Sequence, residues 1–108
     1  MRAIALAALA GLFVCTAGEA AARKPATVKI AIENMKFSPA TVTVKPGDTI
    51  VWTNSDIVAH TVTSKTAGVF DSKIIAPGGT FKYVARRTGN FTYVCSLHQP
   101  MTADLKVR

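Results

Sequence analysis

A chain of 108 residues, with 13 Lys plus Arg, 6 Asp plus Glu, two His and two Cys, has room for one small domain and excludes a two-domain enzyme. The formal net charge of +7 favours acidic or anionic partners over basic ones. The apolar content of 49% is inflated by the first 22 residues.

Those residues open with Met1 and Arg2 and run through Ala3-Ile4-Ala5-Leu6-Ala7-Ala8-Leu9-Ala10-Gly11-Leu12-Phe13-Val14 to a small-residue exit at Ala20-Ala21-Ala22. A positive start, an apolar stretch shorter than the roughly 20 residues of a membrane-spanning helix, and small residues at the exit predict a secretory signal peptide over residues 1–22, cleaved after Ala22. An uncleaved anchor is disfavoured because Thr16, Gly18 and Glu19 end the apolar run early. Lipid attachment at Cys15 is disfavoured because Val14, not a small residue, precedes it. Removing residues 1–22 takes away Arg2 and Glu19, one charge of each sign, so the 86 remaining residues keep a net +7. Cys95 is then alone in an exported protein, where an unpaired thiol survives by burial or by metal ligation.

From Lys24 onward the recurring signal is alternation with period two, which predicts strands. Val28, Ile30 and Ile32 alternate with more polar neighbours, then Val42 and Val44, then Ile50 and Trp52. Downstream come Phe81, Tyr83 and Ala85, then Phe91, Tyr93 and Cys95, and finally Leu105 and Val107. Pro46-Gly47-Asp48, Asn54-Ser55-Asp56, Pro77-Gly78-Gly79 and Thr88-Gly89-Asn90 supply the reversals, through the preset φ of Pro and the positive φ open to Gly and Asn. Residues 64–79 read as a loop with an edge strand near Phe70 to Ile75. Short strands separated by turn signals predict an all-β sandwich or small barrel.

The segment Cys95-Ser96-Leu97-His98-Gln99-Pro100-Met101 places a thiolate, an imidazole and a thioether at three-residue steps. The only other histidine, His60, lies 35 residues before Cys95, where a sandwich can bring it beside this loop. Taken singly, each has an ordinary role: a surface or hydrogen-bonded His, a core-filling Met, a buried Cys. Together they form a metal-ligand set of His60, Cys95, His98 and Met101. Two His and one Cys with a weak axial Met make a type 1 copper site, and a thioether is a poor zinc ligand. Thiolate and thioether suit Cu(I), while imidazole serves both oxidation states.

Asn34-Met35-Lys36-Phe37-Ser38-Pro39, the run from Val42 to Asn54, His60 and the Cys95–Met101 loop together resemble the cupredoxins, the small blue copper proteins. The two-residue gaps on both sides of His98 most resemble the amicyanin branch, since plastocyanin and pseudoazurin have a longer gap between the second His and the Met. The resemblance implies a Greek-key sandwich of seven to eight strands over residues 23–108. It implies one copper ion near one end, held by His60, Cys95, His98 and Met101, and periplasmic shuttling of single electrons between redox proteins. It also implies an electron port at the exposed edge of His98, with Val58, Leu97 and Pro100 as rim residues. Three positions depart from the amicyanin pattern. Thr61 stands where an Asn usually ties the two ligand loops together, Ala103 stands for a Gly, and Leu97 stands for a Pro.

Lys65, Lys73, Lys82, Arg86 and Arg87 would steer acidic redox partners. Nucleic-acid binding is a poor account of the charge, because the chain reads as exported and its aromatics alternate as core strands do; a membrane surface or an acidic redox protein is a better one. A catalytic copper site needs further histidines and an open coordination position, so an electron carrier is expected rather than an enzyme. A monomer is expected, with no stable membrane insertion once the signal peptide is gone. Copper buffering or delivery from the same four ligands is the alternative function, and a metal-free interaction module a third.

Overall fold

The computed structural model describes residues 23–108; the expected signal peptide, residues 1–22, lies outside them. Within those residues the chain forms β1 (Thr27–Glu33), β2 (Lys36–Ser38), β3 (Thr41–Val44), β4 (Thr49–Asn54), β5 (Thr63–Ser64), β6 (Thr80–Val84), β7 (Gly89–Val94) and β8 (Thr102–Val107). Two four-stranded sheets result, ordered β2-β1-β4-β6 and β3-β8-β7-β5. The pairs β1 with β4 and β3 with β8 are parallel, and the others are antiparallel. This is the all-β sandwich expected from the alternation.

Alternation places one side of each strand inward. Ile30 and Ile32, Val42 and Val44, Ile50 and Trp52, Phe91 and Tyr93, and Leu105 and Val107 are all buried between the sheets. Each such aliphatic or aromatic side chain contributes about 1.5–3 kcal/mol by leaving water. Trp52 is the centre, with ring centroids 5.5 Å from Phe81, 5.6 Å from Tyr93 and 5.7 Å from Phe70. Its Nε1–H donates to Tyr93 Oη at 3.2 Å, so neither buried polar atom is orphaned. Burial pushes the Tyr93 phenol up to about 12.

Three features differ from the sequence expectation. β2 and β5 carry no run long enough to show a period, yet each pairs at a sheet edge. The expected edge strand near Phe70 to Ile75 is reduced to two isolated bridges, Thr63 with Asp71 and His60 with Ile75. Between them Lys73 takes a positive φ of 62°, which breaks extended backbone, while Phe70 and Ile75 both turn into the core.

Register sorts the molecule into two poles. Thr27 of β1 pairs with Thr49 of β4, which pairs with Val84 of β6, so these ends lie together. Gly89 of β7 pairs with Val107 of β8, and Val107 with Val44 of β3, at the same end of the second sheet. Gly47 N–H, donating to Ala85 O at 2.6 Å, joins the two groups. Here Lys45-Pro46-Gly47-Asp48 forms a type II turn: Pro46 stands at its second position, Gly47 has φ 99° at its third, and Asp48 N–H donates back to Lys45 O at 3.0 Å. The opposite pole is where β7 ends and Cys95 begins.

Asp48 anchors the first pole. Buried, its carboxylate accepts from Ala26 N–H at 2.9 Å, Lys45 N–H at 2.9 Å and the Arg23 guanidinium at 3.1 Å. The Ala26 and Lys45 amides, with the Arg23 cation, hold its carboxyl down to about 2 from the usual 3.8. A depressed folded-state value means that the ionised group stabilises the fold above the unfolded value and that this stability is lost as pH falls through the folded one. Asp48→Asn should therefore make the decline of the urea midpoint between about pH 4 and pH 2 shallower than in the parent chain. An unchanged slope would show that Asp48 is not part of the acid response.

Candidate metal centre

Strand geometry delivers the cysteine. Phe91 and Tyr93 point inward along β7, and Cys95, two residues further, continues on the same side at the end of the sheet, fully buried. Its N–H donates to Met101 O at 3.0 Å, and Met101 N–H donates to His98 O at 3.2 Å, so residues 95–101 close into a compact loop that returns directly into β8. Met101 is buried within this closure, and His98 is half-buried.

His60 comes from the other side of the sandwich, on the segment that runs from β4 to β5. Its backbone exchanges hydrogen bonds with Ile75, N–H to O at 3.2 Å and O from N–H at 2.8 Å, and its ring is fully buried. His60 Nδ1 lies 3.7 Å from Cys95 Sγ, and the two imidazole rings have centroids 4.9 Å apart. One ligand atom from each of His60, Cys95 and His98 falls within 4.8 Å of the others. The three residues that the sequence places in two separate segments thus converge, with Met101 beside them.

Two groups orient the first histidine. Asp56 Oδ2 accepts from His60 Nε2 at 2.7 Å; the partner is a carboxylate, so Nε2 carries the proton and Nδ1 presents its lone pair toward the thiol. The Met35 amide, the His60 ring and the Asn34 amide hold the Asp56 carboxyl below the usual carboxylate range, against the desolvation that opposes them. Asn34 and Met35 N–H donate to Asp56 at 2.7 and 3.0 Å, which fastens a turn whose φ values are 54° and 59°. Beneath it lies Asn54, fully buried. Its side-chain amide donates to Val58 O and Ile75 O, each at 2.9 Å, and its oxygen accepts from Asp56 N–H at 2.9 Å.

Thr61 ties the two ligand loops. Its N–H donates to Cys95 Sγ at 3.3 Å, and its Oγ1 accepts from Ser96 N–H at 2.8 Å. The same hydroxyl meets Ser96 Oγ at 3.1 Å and Thr63 Oγ1 at 2.9 Å. The departure from Asn at this position therefore keeps a tie through the shorter side chain. Of the other two departures, Ala103 packs inward on β8 opposite Tyr93, and Leu97 is 48% exposed on the loop.

The donor set is two imidazoles and a thiol, with a buried thioether alongside and no carboxylate among them. Such soft and borderline donors fit copper and disfavour calcium or magnesium, which take oxygen ligands. The family model for a cupredoxin-like domain matches residues 4–107 of the chain. The protein is a cupredoxin. It is similar to amicyanin-alpha of Methylorubrum extorquens, 29% identical with 99% of each chain covered. It is also similar to amicyanin of Paracoccus versutus, 31% identical over 82% of this chain and 70% of that one. Among solved structures it matches a purple cupredoxin from Nitrosopumilus maritimus at a TM-score of 0.70 and 26% identity, covering 75% of this chain and 99% of that one. His60, Cys95, His98 and Met101 of this cupredoxin are arranged as a type 1 copper site, for one copper ion.

Sequence reading named His60, Cys95 and His98, which the structure brings together, and missed the groups that hold them. Asp56 precedes His60 by four residues in a turn, a spacing that could have marked it, since ligand histidines usually give their second nitrogen to a carboxylate or carbonyl. Asn54 continues the Ile50, Trp52 alternation on the buried side but read only as a turn residue.

Two outcomes follow from this support. Asp56→Asn should weaken copper binding about 10- to 100-fold in competition with a chelator of known affinity, because the carboxylate that sets the His60 tautomer is gone. Thr61→Val should lower folding stability by about 1–3 kcal/mol in urea denaturation, because the Ser96 N–H loses its acceptor.

Proposed function

We propose that this cupredoxin carries single electrons between redox proteins outside the cytoplasm, with His60, Cys95, His98 and Met101 as its copper ligands. The observation that supports this most directly is the convergence of three ligand atoms within 4.8 Å on a buried, internally hydrogen-bonded scaffold. Bound copper supplies a one-electron couple between Cu(II) and Cu(I). The chain supplies a geometry that both oxidation states share: Cys95 held by the Thr61 amide, His60 held by Asp56, and Met101 held by the loop closure. Little has to move when the charge of the site changes.

His98 is the ligand nearest solvent and serves as the electron port. It is half-buried, with Nε2 3.1 Å from Ala59 O, and the exposed apolar residues Met35, Ile57, Val58 and Leu97 come from the segments that flank the site, with Pro100 beside it. Exposed apolar groups on one surface suit brief docking of a partner that is released after transfer. Both histidines of the chain belong to the site, which leaves none to build a second, catalytic copper centre. Export by the N-terminal segment and action as a monomer belong to the same reading. Among the described residues, no helix is long and apolar enough to cross a membrane.

The test is the visible spectrum of the purified protein after addition of Cu(II) and again after a mild reductant. An intense thiolate-to-copper band that bleaches and returns reversibly is expected. Cys95→Ser should abolish that band. Met101→Gln should retain copper but lower the reduction potential, because a harder amide oxygen favours Cu(II) over Cu(I). No band in folded protein would overturn the ligand assignment. Rapid surrender of Cu(I) to a chelator, combined with slow electron exchange, would replace electron transfer by copper delivery.

A further inference from the structure

Half of the 12 Lys and Arg side chains in residues 23–108 gather at the pole opposite the metal site. The pole where β3, β6 and β8 end carries Arg23, Lys24, Lys45, Arg86, Arg87 and Arg108, all exposed. Arg23 precedes β1 there, Lys45 begins the turn into β4, Arg86 and Arg87 connect β6 to β7, and Arg108 follows β8 with its N–H donating to Val44 O at 3.0 Å. Of the five carboxylate side chains in residues 23–108, only Asp48 lies at this pole, buried and occupied by Arg23 and two backbone amides. The other four lie elsewhere: Glu33 at the far end of β1, Asp56 against His60, Asp71 bridged to Thr63, and Asp104 on the face of β8.

These cations do not act at the electron port. From Gly89 to Cys95 along β7 is six residue steps, roughly 20 Å at about 3.3 Å each, which exceeds two Debye lengths of about 8 Å at physiological ionic strength. A partner drawn to this pole by charge would sit far from His98. The charge therefore serves contact with something that need not exchange electrons there. An extended anionic surface fits better than an acidic redox protein, because the cations come from four separate connections and termini of the sandwich and form its whole end.

We propose that the basic pole rests on a bilayer containing anionic phospholipid, holding the domain with its metal end turned away from the membrane. The contact is electrostatic: the exposed apolar groups at this pole are limited to Pro25, Ala26, Pro46 and Val84, too few and too small to insert. Binding is consequently reversible and sensitive to salt.

The test is co-sedimentation of the copper-loaded protein, purified as the cell processes it, with vesicles of phosphatidylcholine alone or with about 30% phosphatidylglycerol. At low salt the anionic vesicles should retain the protein, and neutral vesicles or 0.5 M salt should not. Each basic residue in contact with an anionic surface is worth about five-fold in partitioning. Lys24→Gln/Lys45→Gln/Arg86→Gln, whose replaced side chains hold no other part of the fold, should thus lose about 100-fold. Lys36→Gln/Lys65→Gln/Lys73→Gln carries the same net charge but leaves the pole intact, and should lose less than ten-fold. Equal losses in the two variants would overturn the proposal in favour of general attraction. Equal binding to neutral and anionic vesicles would overturn it in favour of apolar anchoring. No sedimentation with anionic vesicles at low salt would also overturn it, leaving an acidic protein as the partner of this pole. An unchanged copper spectrum in both variants establishes that they are folded.

Discussion

Two loops that leave different sheets meet at Thr61. The segment carrying His60 follows β4 of one sheet, and the segment carrying Cys95 follows β7 of the other. The second sheet brings them alongside, since β5, three residues after His60, pairs with β7 through Thr63 and Val94, but that pairing stops at Val94 and leaves the ligand residues themselves to be connected. The Thr61 amide on Cys95 Sγ and the Thr61 hydroxyl on Ser96 N–H supply that connection across the top of the sandwich. The metal centre depends on it, because a site shared between two loops is only as fixed as the contact between them.

Around this tie each polar group has a partner. Asp56 serves three donors at once, the Asn34 and Met35 amides and the His60 ring, so the β1–β2 turn and the first ligand are positioned by one carboxylate. Asn54 performs the same service one layer below, bridging the Val58 carbonyl, the Ile75 carbonyl and the Asp56 amide. Among the described residues no buried side-chain nitrogen or oxygen lacks a partner. A fully satisfied polar network in a low-dielectric setting is rigid, and rigidity is what a site needs if its ligands are to stay in place when its charge changes. Below the network, the aromatic cluster around Trp52 joins the two sheets and gives the loops a firm base.

The two poles divide the labour of the molecule. The metal pole has an accessible histidine, exposed apolar side chains and most of the carboxylates; the other has six cations and one buried carboxylate. The distance between them, set by strand length, lets one end carry charge without imposing it on the other. Arg86 and Arg87, read from the sequence as steering acidic partners, stand at the pole away from the copper ligands, since β7 runs between them and Cys95.

The strands of the core and the candidate ligand loop were legible in the amino-acid sequence because each is a local signal. A period of two is visible over four to six residues, and Cys95, His98 and Met101 stand at three-residue steps in one loop. β2 and β5 were not legible, being shorter than the period needs, and the Phe70 to Ile75 segment misled because apolar residues there anchor a loop rather than extend a sheet. Asp56, Asn54 and the work of Thr61 were decided only by tertiary structure. A polar residue in a turn looks the same in sequence whether it faces water or a buried imidazole, and the difference lies in which distant segment folds against it. The same holds for the charge: the sequence alone determined that the protein is basic, and the register of the sheets, by bringing six separated cations to one end, decided where.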